Sequence, residues 1–357
     1  MLTAHSPTLA LQHTLVIPAH VSTLTYTHNG MLILGSDDGS LRLYQPPGIK
    51  VTKAVRGLEH EVSSVIAIMP SISGFGHIWV ACGSSVRHFR LKMGVKTHSD
   101  PWDALSIIQV GENDEDVVNE ARAAAHLPHE NRKTLAFTTD SGTVGVVDLM
   151  TKIVQRMKTQ HSSICATANF VPDRPSEIIS GGYDSALLHF DFRQGMLLSR
   201  RVLTSLLQSS TVSFSPPFIL CLSVSSTGAI AAGTADGQLW VGLGGDKRNS
   251  VKRTRKWGGL REDMSLSKRI ADGPVVALAF LNPTTVITST LLGNISQHSI
   301  RIEGEAGDWR VDSVSLTKTQ SIEKVNALAV HGKNITLGGL KADGKGAAEV
   351  YEYDKAV

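Results

Sequence analysis

Charge is scarce in this chain of 357 residues: Lys, Arg, Asp and Glu make up 19% of it, against about 25% in an average soluble domain. Aromatic residues are few as well, at 5%. Low charge beside 41% hydrophobic residues excludes a disordered chain, which needs the opposite balance. Long apolar runs are also missing. Stretches such as Val65-Ile66-Ala67-Ile68-Met69 fall far short of the ~18 residues of a spanning helix, so no membrane partner is expected. No Lys or Arg precedes Arg42, so the charged start of a signal peptide is not expected either. Cysteine is limited to Cys82, Cys165 and Cys221. An odd number, widely spaced and set in strand-like stretches, speaks for buried thiols in a reducing compartment, cytoplasmic or nuclear.

Chemistry is equally sparse. There is no Cys-x-x-Cys, and the 14 histidines show no paired ligand spacing, so no metal is expected. His126 and His129 are separated by Pro128, which breaks any shared helical face. Gly339 to Gly346 reads GLKADGKG and imitates a phosphate loop. That motif requires Ser or Thr after the lysine, where this chain has Gly346, and a helix behind it. A long hairpin turn is the better reading. Gly242-Leu243-Gly244-Gly245 has the wrong spacing for a dinucleotide fingerprint. No nucleophile elbow appears in a strand–turn–helix context. The expectation is a protein without catalysis and without a cofactor.

What the chain does have is a repeat. Residues 30–44 read GMLILGSDDGSLRLY: an apolar run, Gly-Ser, an acidic turn closed by Gly39, then alternation. The pattern recurs at 134–148, 177–191 and 228–241, more weakly at 284–300 and 334–353, and in degenerate form at 77–90. Each copy is a pair of short strands around a tight turn whose Asp-Gly-like residues supply positive φ. A further apolar strand precedes each copy, beginning near Val21, Val62, Val117, Ile164, Phe218, Val275 and Val325. Seven units of four strands predict an all-β, seven-bladed β-propeller across residues 1–357, with loop insertions. Asn119 to His126 has helical propensity, but the period requires a strand there. The last unit lacks an outer strand after Tyr353, whereas Leu9 to Ile17 is an unused apolar stretch. The N-terminal strand is therefore expected to complete the last blade.

These residues resemble WD repeats, although the Trp-Asp pair of that family is degenerate throughout. The corresponding positions read Tyr44-Gln45, Phe89-Arg90, Val147-Asp148, Phe190-Asp191 and Gly242-Leu243. The resemblance implies a structural pairing between a His before the first strand and the Asp of the hairpin turn. His161 and Asp184 fit it best, while His20 and Asp38 are spaced too closely. A narrower resemblance is to the subfamily of WD repeat-containing protein 53 and its plant and fungal relatives. It is carried by HSSICATANFVPDRPSEIISGGYDS at 161–185, SPPFILCLSVSSTGAIAAGTADG at 215–237 and EKVNALAV at 323–330.

Three places are candidates for function. The first is residues 178–193, IISGGYDSALLHFDFR. This stretch resembles the box by which some propellers dock on the damage-specific DNA-binding protein 1, the adaptor of cullin 4 ubiquitin ligases. The resemblance implies adaptor-binding roles for Asp184, Phe190, Asp191 and Arg193, with Phe190 in the place of the box's Trp. A rim arginine suits the task, because its guanidinium is a rigid fork for a carboxylate or a backbone oxygen. The plainer reading is a well-formed blade with a solvated arginine. The second is the window from Asp246 to Arg269, an insertion between blades five and six. It holds nine basic and three acidic residues, so it carries +6 while the rest of the chain carries −3. Lys252, Arg253, Arg255 and Lys256, followed by Trp257, form a basic patch suited to phosphates, with an indole to stack on a base. A nuclear-import signal and a solvated loop are the other readings. The third is the set of loops before each first strand: His20, His60-Glu61, Glu112 to Asp116, His161 and Glu323-Lys324. Mixed charge with His suits peptide recognition. The expected function is a protein-binding scaffold, specified by the box resemblance as a substrate receptor of a cullin 4 RING ubiquitin ligase. The alternative is a nuclear, nucleic-acid- or chromatin-associated factor using the basic insertion.

Overall fold

The structure is a computed structural model, and it describes residues 7–48, 50–68, 75–92, 97–99, 104–123, 134–206, 215–247, 257–303 and 308–354. The chain opens with β1 (Thr8–Ile17). The first blade is β2 (Val21–Tyr26), β3 (Leu32–Ser36), β4 (Leu41–Tyr44) and β5 (Val51–Val55). The second is β6 (Val62–Ile68), β7 (Phe75–Cys82), β8 (Ser85–Lys92) and, after β9 (Thr97–Ser99), β10 (Ser106–Gln109). The third is β11 (Val118–Ala123), β12 (Thr134–Thr139), β13 (Val144–Asp148) and β14 (Val154–Arg156). The fourth is β15 (Cys165–Phe170), β16 (Glu177–Gly182), β17 (Ala186–Asp191) and β18 (Met196–Val202). The fifth is β19 (Ile219–Val224), β20 (Ile230–Thr234), β21 (Gln238–Gly242) and β22 (Ser265–Arg269). The sixth is β23 (Val275–Asn282), β24 (Thr285–Thr290), β25 (Asn294–Glu303) and β26 (Asp308–Lys318). The seventh is β27 (Lys324–His331), β28 (Asn334–Leu340), β29 (Gly346–Asp354) and β1.

The described residues thus form seven sheets. Their four-stranded unit and its sevenfold repetition give the fold class of a seven-bladed β-propeller. The expected strand at Asn119 is there, within β11, as far as Ala123, so the period overrides local helical propensity over these residues, while 124–126 lie outside the described ones. The unused N-terminal stretch does complete the last blade: β1 runs antiparallel to β29, from Thr8 opposite Asp354 to Ile17 opposite Gly346. One addition was not expected. β9 pairs in parallel with β5 and gives the first blade a fifth strand.

The repeat has a signature finer than strand count. In each blade the pairing of the first and second strands slips by one residue just after the first strand begins. The slips fall after Val21, Val62, Val118, Cys165, Ile219, Val275 and Val325. Such a bulge bends the strand and increases its twist. The seven sites lie within one residue of the strand starts read from the sequence.

The contacts divide the chain into two compact units. One comprises Met1–Gln109, Leu291–Gln297 and Val314–Val357, the other Val110–Thr290 and His298–Ser313. In the first, β27 packs on β2 and β2 on β6; in the second, β11, β15, β19 and β23 pack in succession. Close approach between blades depends on a glycine in the second strand. A Cβ on Gly35 would stand 2.5 Å from Val62 Cγ1, and one on Gly338 2.6 Å from Val21 Cγ1. In the other unit, a Cβ on Gly181 would meet Ile219 Cγ2 at 2.5 Å and one on Gly233 would meet Val275 Cγ1 at 2.7 Å. The bulge residue of each following blade therefore fills the space that the glycine leaves. Second strands such as β3 and β20 are buried on both faces. That is why they read as apolar runs rather than as alternation.

Candidate functional site

The fourth blade is built around His161, which precedes β15 and is buried. Its Nδ1 lies 2.8 Å from Asp184 Oδ1 and its Nε2 2.8 Å from Ser180 Oγ. Asp184 also accepts from the backbone N–H groups of Ala186 (3.1 Å) and Ser162 (3.2 Å). The structure therefore brings His161 and Asp184 together, and it ties the loop before the blade to the hairpin turn inside it. Burial pushes the Asp184 carboxyl up, but the His161 hydrogen bond and charge and the two N–H donors outweigh it, so its pKa is lowered. Gly182 makes room for the imidazole: a Cβ there would stand 2.7 Å from His161 Nδ1.

Ser180, His161 and Asp184 have the hydrogen-bond order of a nucleophilic triad. Burial decides what they do. Ser180 and the His161 side chain are both 0% exposed, so no substrate reaches the hydroxyl, and the three groups form a clamp. Sequence reasoning did not single out Ser180. Its position four residues before the turn acid, facing the same side of the blade, was the available signal. The thiols follow the same logic. Burial pushes those of Cys82, Cys165 and Cys221 up, away from the thiolate that nucleophilic chemistry needs.

The four residues of the proposed docking box divide into two pairs. Asp184 is spent on the clamp. Phe190 is 0% exposed and packs with Ile178, Leu188 and Phe192 in the core shared with the third blade. Both side chains are turned into the blade, Asp184 toward His161 and Phe190 toward the core. Asp191 and Arg193 are at the rim. Asp191 Oδ1 accepts from the backbone N–H of Arg193 at 2.9 Å and of Gln194 at 3.2 Å, which fixes the β17–β18 turn. Arg193 is exposed, and among the described residues no carboxylate pairs with its guanidinium. The third blade braces the same turn. Gln155 Nε2 donates to Phe192 O at 2.7 Å, and the Lys158 N–H donates to Gly195 O at 3.0 Å.

The basic patch of Lys252, Arg253, Arg255 and Lys256 lies outside the described residues. Both flanks of that stretch are fixed. On one side the Lys247 N–H donates to Thr227 O at 3.0 Å and Lys247 Nζ pairs with Asp173. On the other, Trp257 is buried in the core between the fourth and fifth blades and meets His189 edge-on at 4.7 Å. A Cβ on Gly245 would stand 1.9 Å from its Nε1, and one on Gly259 2.3 Å from its Cζ2. This corrects the expectation of an indole free to stack on a base: the flanking glycines form a slot that the ring fills. The later part of the window is structural too. β22 is the outer strand of the fifth blade, and Lys268 Nζ donates to Val311 O at 2.9 Å.

The remaining expected features fall into place as scaffolding. His20 lies 4.0 Å from Asp37 rather than pairing with Asp38, whose Oδ1 accepts from the Ser40 N–H at 3.1 Å. Asp116, in the acidic loop, accepts from the Ser141 N–H at 2.9 Å and the Glu112 N–H at 2.9 Å. GLKADGKG is the turn between β28 and β29, closed by the Lys341 N–H on Lys345 O at 2.8 Å with Gly344 at φ 78°. Among the described residues no group of three or more His, Cys, Asp or Glu is arranged to hold a metal ion.

The family profile described as WD domain, G-beta repeat, matches residues 11–45. That stretch contains most of β1, all of β2, β3 and β4, and the first acidic turn. Together with the seven blades, the match supports a WD-repeat β-propeller.

Proposed function

We propose that this protein is a non-catalytic protein-interaction scaffold, and that it serves as a substrate receptor of a cullin 4 RING ubiquitin ligase. A WD-repeat propeller offers rims and loops on a rigid frame, which is the architecture of a binding protein rather than of an enzyme. The observation that carries the finer reading is Arg193. It is an exposed guanidinium without a carboxylate partner among the described residues, on a turn held by Asp191 and braced by Gln155. The turn fixes the backbone from which this planar fork projects, so docking against a carboxylate or backbone oxygen has only the side chain to order. The damage-specific DNA-binding protein 1 adaptor is the partner that the Phe-Asp-Phe-Arg box indicates. The resemblance of residues 161–185 to WD repeat-containing protein 53 supports the same reading, since that stretch carries the clamp on which the box rests. The test is recovery of purified adaptor on the immobilised protein. Wild type is expected to retain it and Arg193→Ala to lose most of it. Equal recovery by both, or none by wild type, would overturn the reading.

A further inference from the structure

The outer strand of the fourth blade differs from the other described outer strands. β18 ends its sheet, so among the described residues one of its backbone edges has no strand beside it. Its burial alternates strictly and presents Met196, Leu198, Arg200 and Val202 to solvent. The three apolar members are 48%, 49% and 47% exposed. No other described outer strand carries three exposed large apolar side chains. A long, apolar, unpaired edge is a template for another strand.

Charge selects among the occupants. Arg193 precedes the strand, Arg200 lies within its exposed face, and Lys158 sits against the turn, its Cγ 3.9 Å from the position of a Cβ on Gly195. The acid of that turn, Asp191, already accepts two backbone N–H groups. Arg201, on the opposite face of β18, is paired with Glu262 at 2.9 Å. The open surface is therefore apolar and cationic. A second copy of the chain added antiparallel to β18 would bring the same cationic strand against itself, and like charges facing across a strand pair are unfavourable.

We propose that β18 is an interaction edge that takes an extended acidic segment of a partner protein, with apolar and acidic residues alternating. Backbone hydrogen bonds to the free edge supply affinity. Met196, Leu198 and Val202 receive the apolar positions, and Arg200 and Lys158 receive the carboxylates. The proposal does not depend on the adaptor, which is assigned to Arg193 on other grounds.

The test uses the full chain and two fluorescein-labelled eight-residue peptides, one alternating Val and Glu, the other Val and Lys. Fluorescence anisotropy is expected to show the acidic peptide binding at least about tenfold tighter than the basic one. Leu198→Glu and Arg200→Glu, both surface changes, should each weaken it about tenfold, with an unaltered melting curve as the folding control. Equal affinity for the two peptides, or binding insensitive to both substitutions, would overturn the proposal. So would a wild-type dimer abolished by Leu198→Glu, which would make the edge a contact between copies. Adaptor recovery with Leu198→Glu separates the two readings. If it persists while peptide binding is lost, the edge and the Arg193 site are distinct. If the adaptor never binds but the acidic peptide does, only the adaptor reading fails.

Discussion

Single side chains hold this protein's loops to its strands through buried polar contacts. His161 is the clearest case, because one imidazole satisfies both Asp184 and Ser180. His161→Ala leaves a carboxylate and a hydroxyl without their partner, and unpaired buried polar groups are costly. The expected loss is about 3 kcal/mol of stability, read as a lower denaturant midpoint at unchanged slope. Glu349 does the same work in the seventh blade. Fully buried, it accepts from the Gln320 N–H at 3.0 Å, the Ser321 hydroxyl at 2.7 Å and the Tyr351 hydroxyl. His298 is a histidine kept neutral. Its ring nitrogens lie 2.9 Å from Thr288 Oγ1 and 2.9 Å from Ser313 Oγ, and burial, with Lys268 nearby, lowers its pKa from 6.5 to about 4. The unfolded chain binds this proton more readily than the folded one. The contribution is therefore fully present above pH 6.5 and is lost as the pH falls toward about 4. It amounts to about 3 kcal/mol. Denaturant midpoints should drop more steeply between pH 7.5 and 4.5 in wild type than in His298→Gln.

Elements repeat the same device seven times: a bulge opens the first strand, and where a glycine stands in the second strand its bare face admits the bulge residue of the next blade. Gly233→Val would drive a methyl into Val275 and the Cys221 sulfur, since a Cβ at that position would already be 2.7 Å from each. Overpacking of this kind costs about 1–3 kcal/mol, measurable by chemical denaturation. β1 is a different sort of element, joining the two ends of the chain. Removing residues 8–17 would strip Leu15 and Ile17 from the core and leave β29 an open edge. The expected outcome is a lower melting temperature with aggregation on heating, followed by light scattering. Much of this was legible in advance, because turns that need positive φ advertise themselves as Asp-Gly or Gly-Asn and buried strands as apolar runs. Three things were not. Ser180 owes its role to a histidine 19 residues away. Trp257 stands in a basic run, and only the glycine slot that encloses it shows that it is core. β9 joins a sheet whose other strands end at Val55, and its three residues, Thr97–Ser99, carry no apolar alternation.

For the whole molecule, the charge arithmetic changes meaning. The net +3 is the sum of a +6 window and a −3 remainder, and part of that window is structural. Lys268 holds the fifth blade to the sixth through Val311, and Arg261 is paired with Asp263. With Trp257 withdrawn into the core, binding of a nucleic acid at this window would have no indole to stack on a base and would rest on phosphate contacts, which weaken steeply with salt. The cationic rim of the fourth blade instead combines charge with apolar surface, which is the composition of a protein interface. The most direct test is calorimetric titration of purified damage-specific DNA-binding protein 1 adaptor into wild type, Arg193→Ala and, as a control on another blade, Lys341→Ala. The account predicts saturable binding by wild type and Lys341→Ala and at least about tenfold weaker binding by Arg193→Ala, as befits loss of a central arginine. Indistinguishable isotherms for all three, or no binding by wild type, would contradict it.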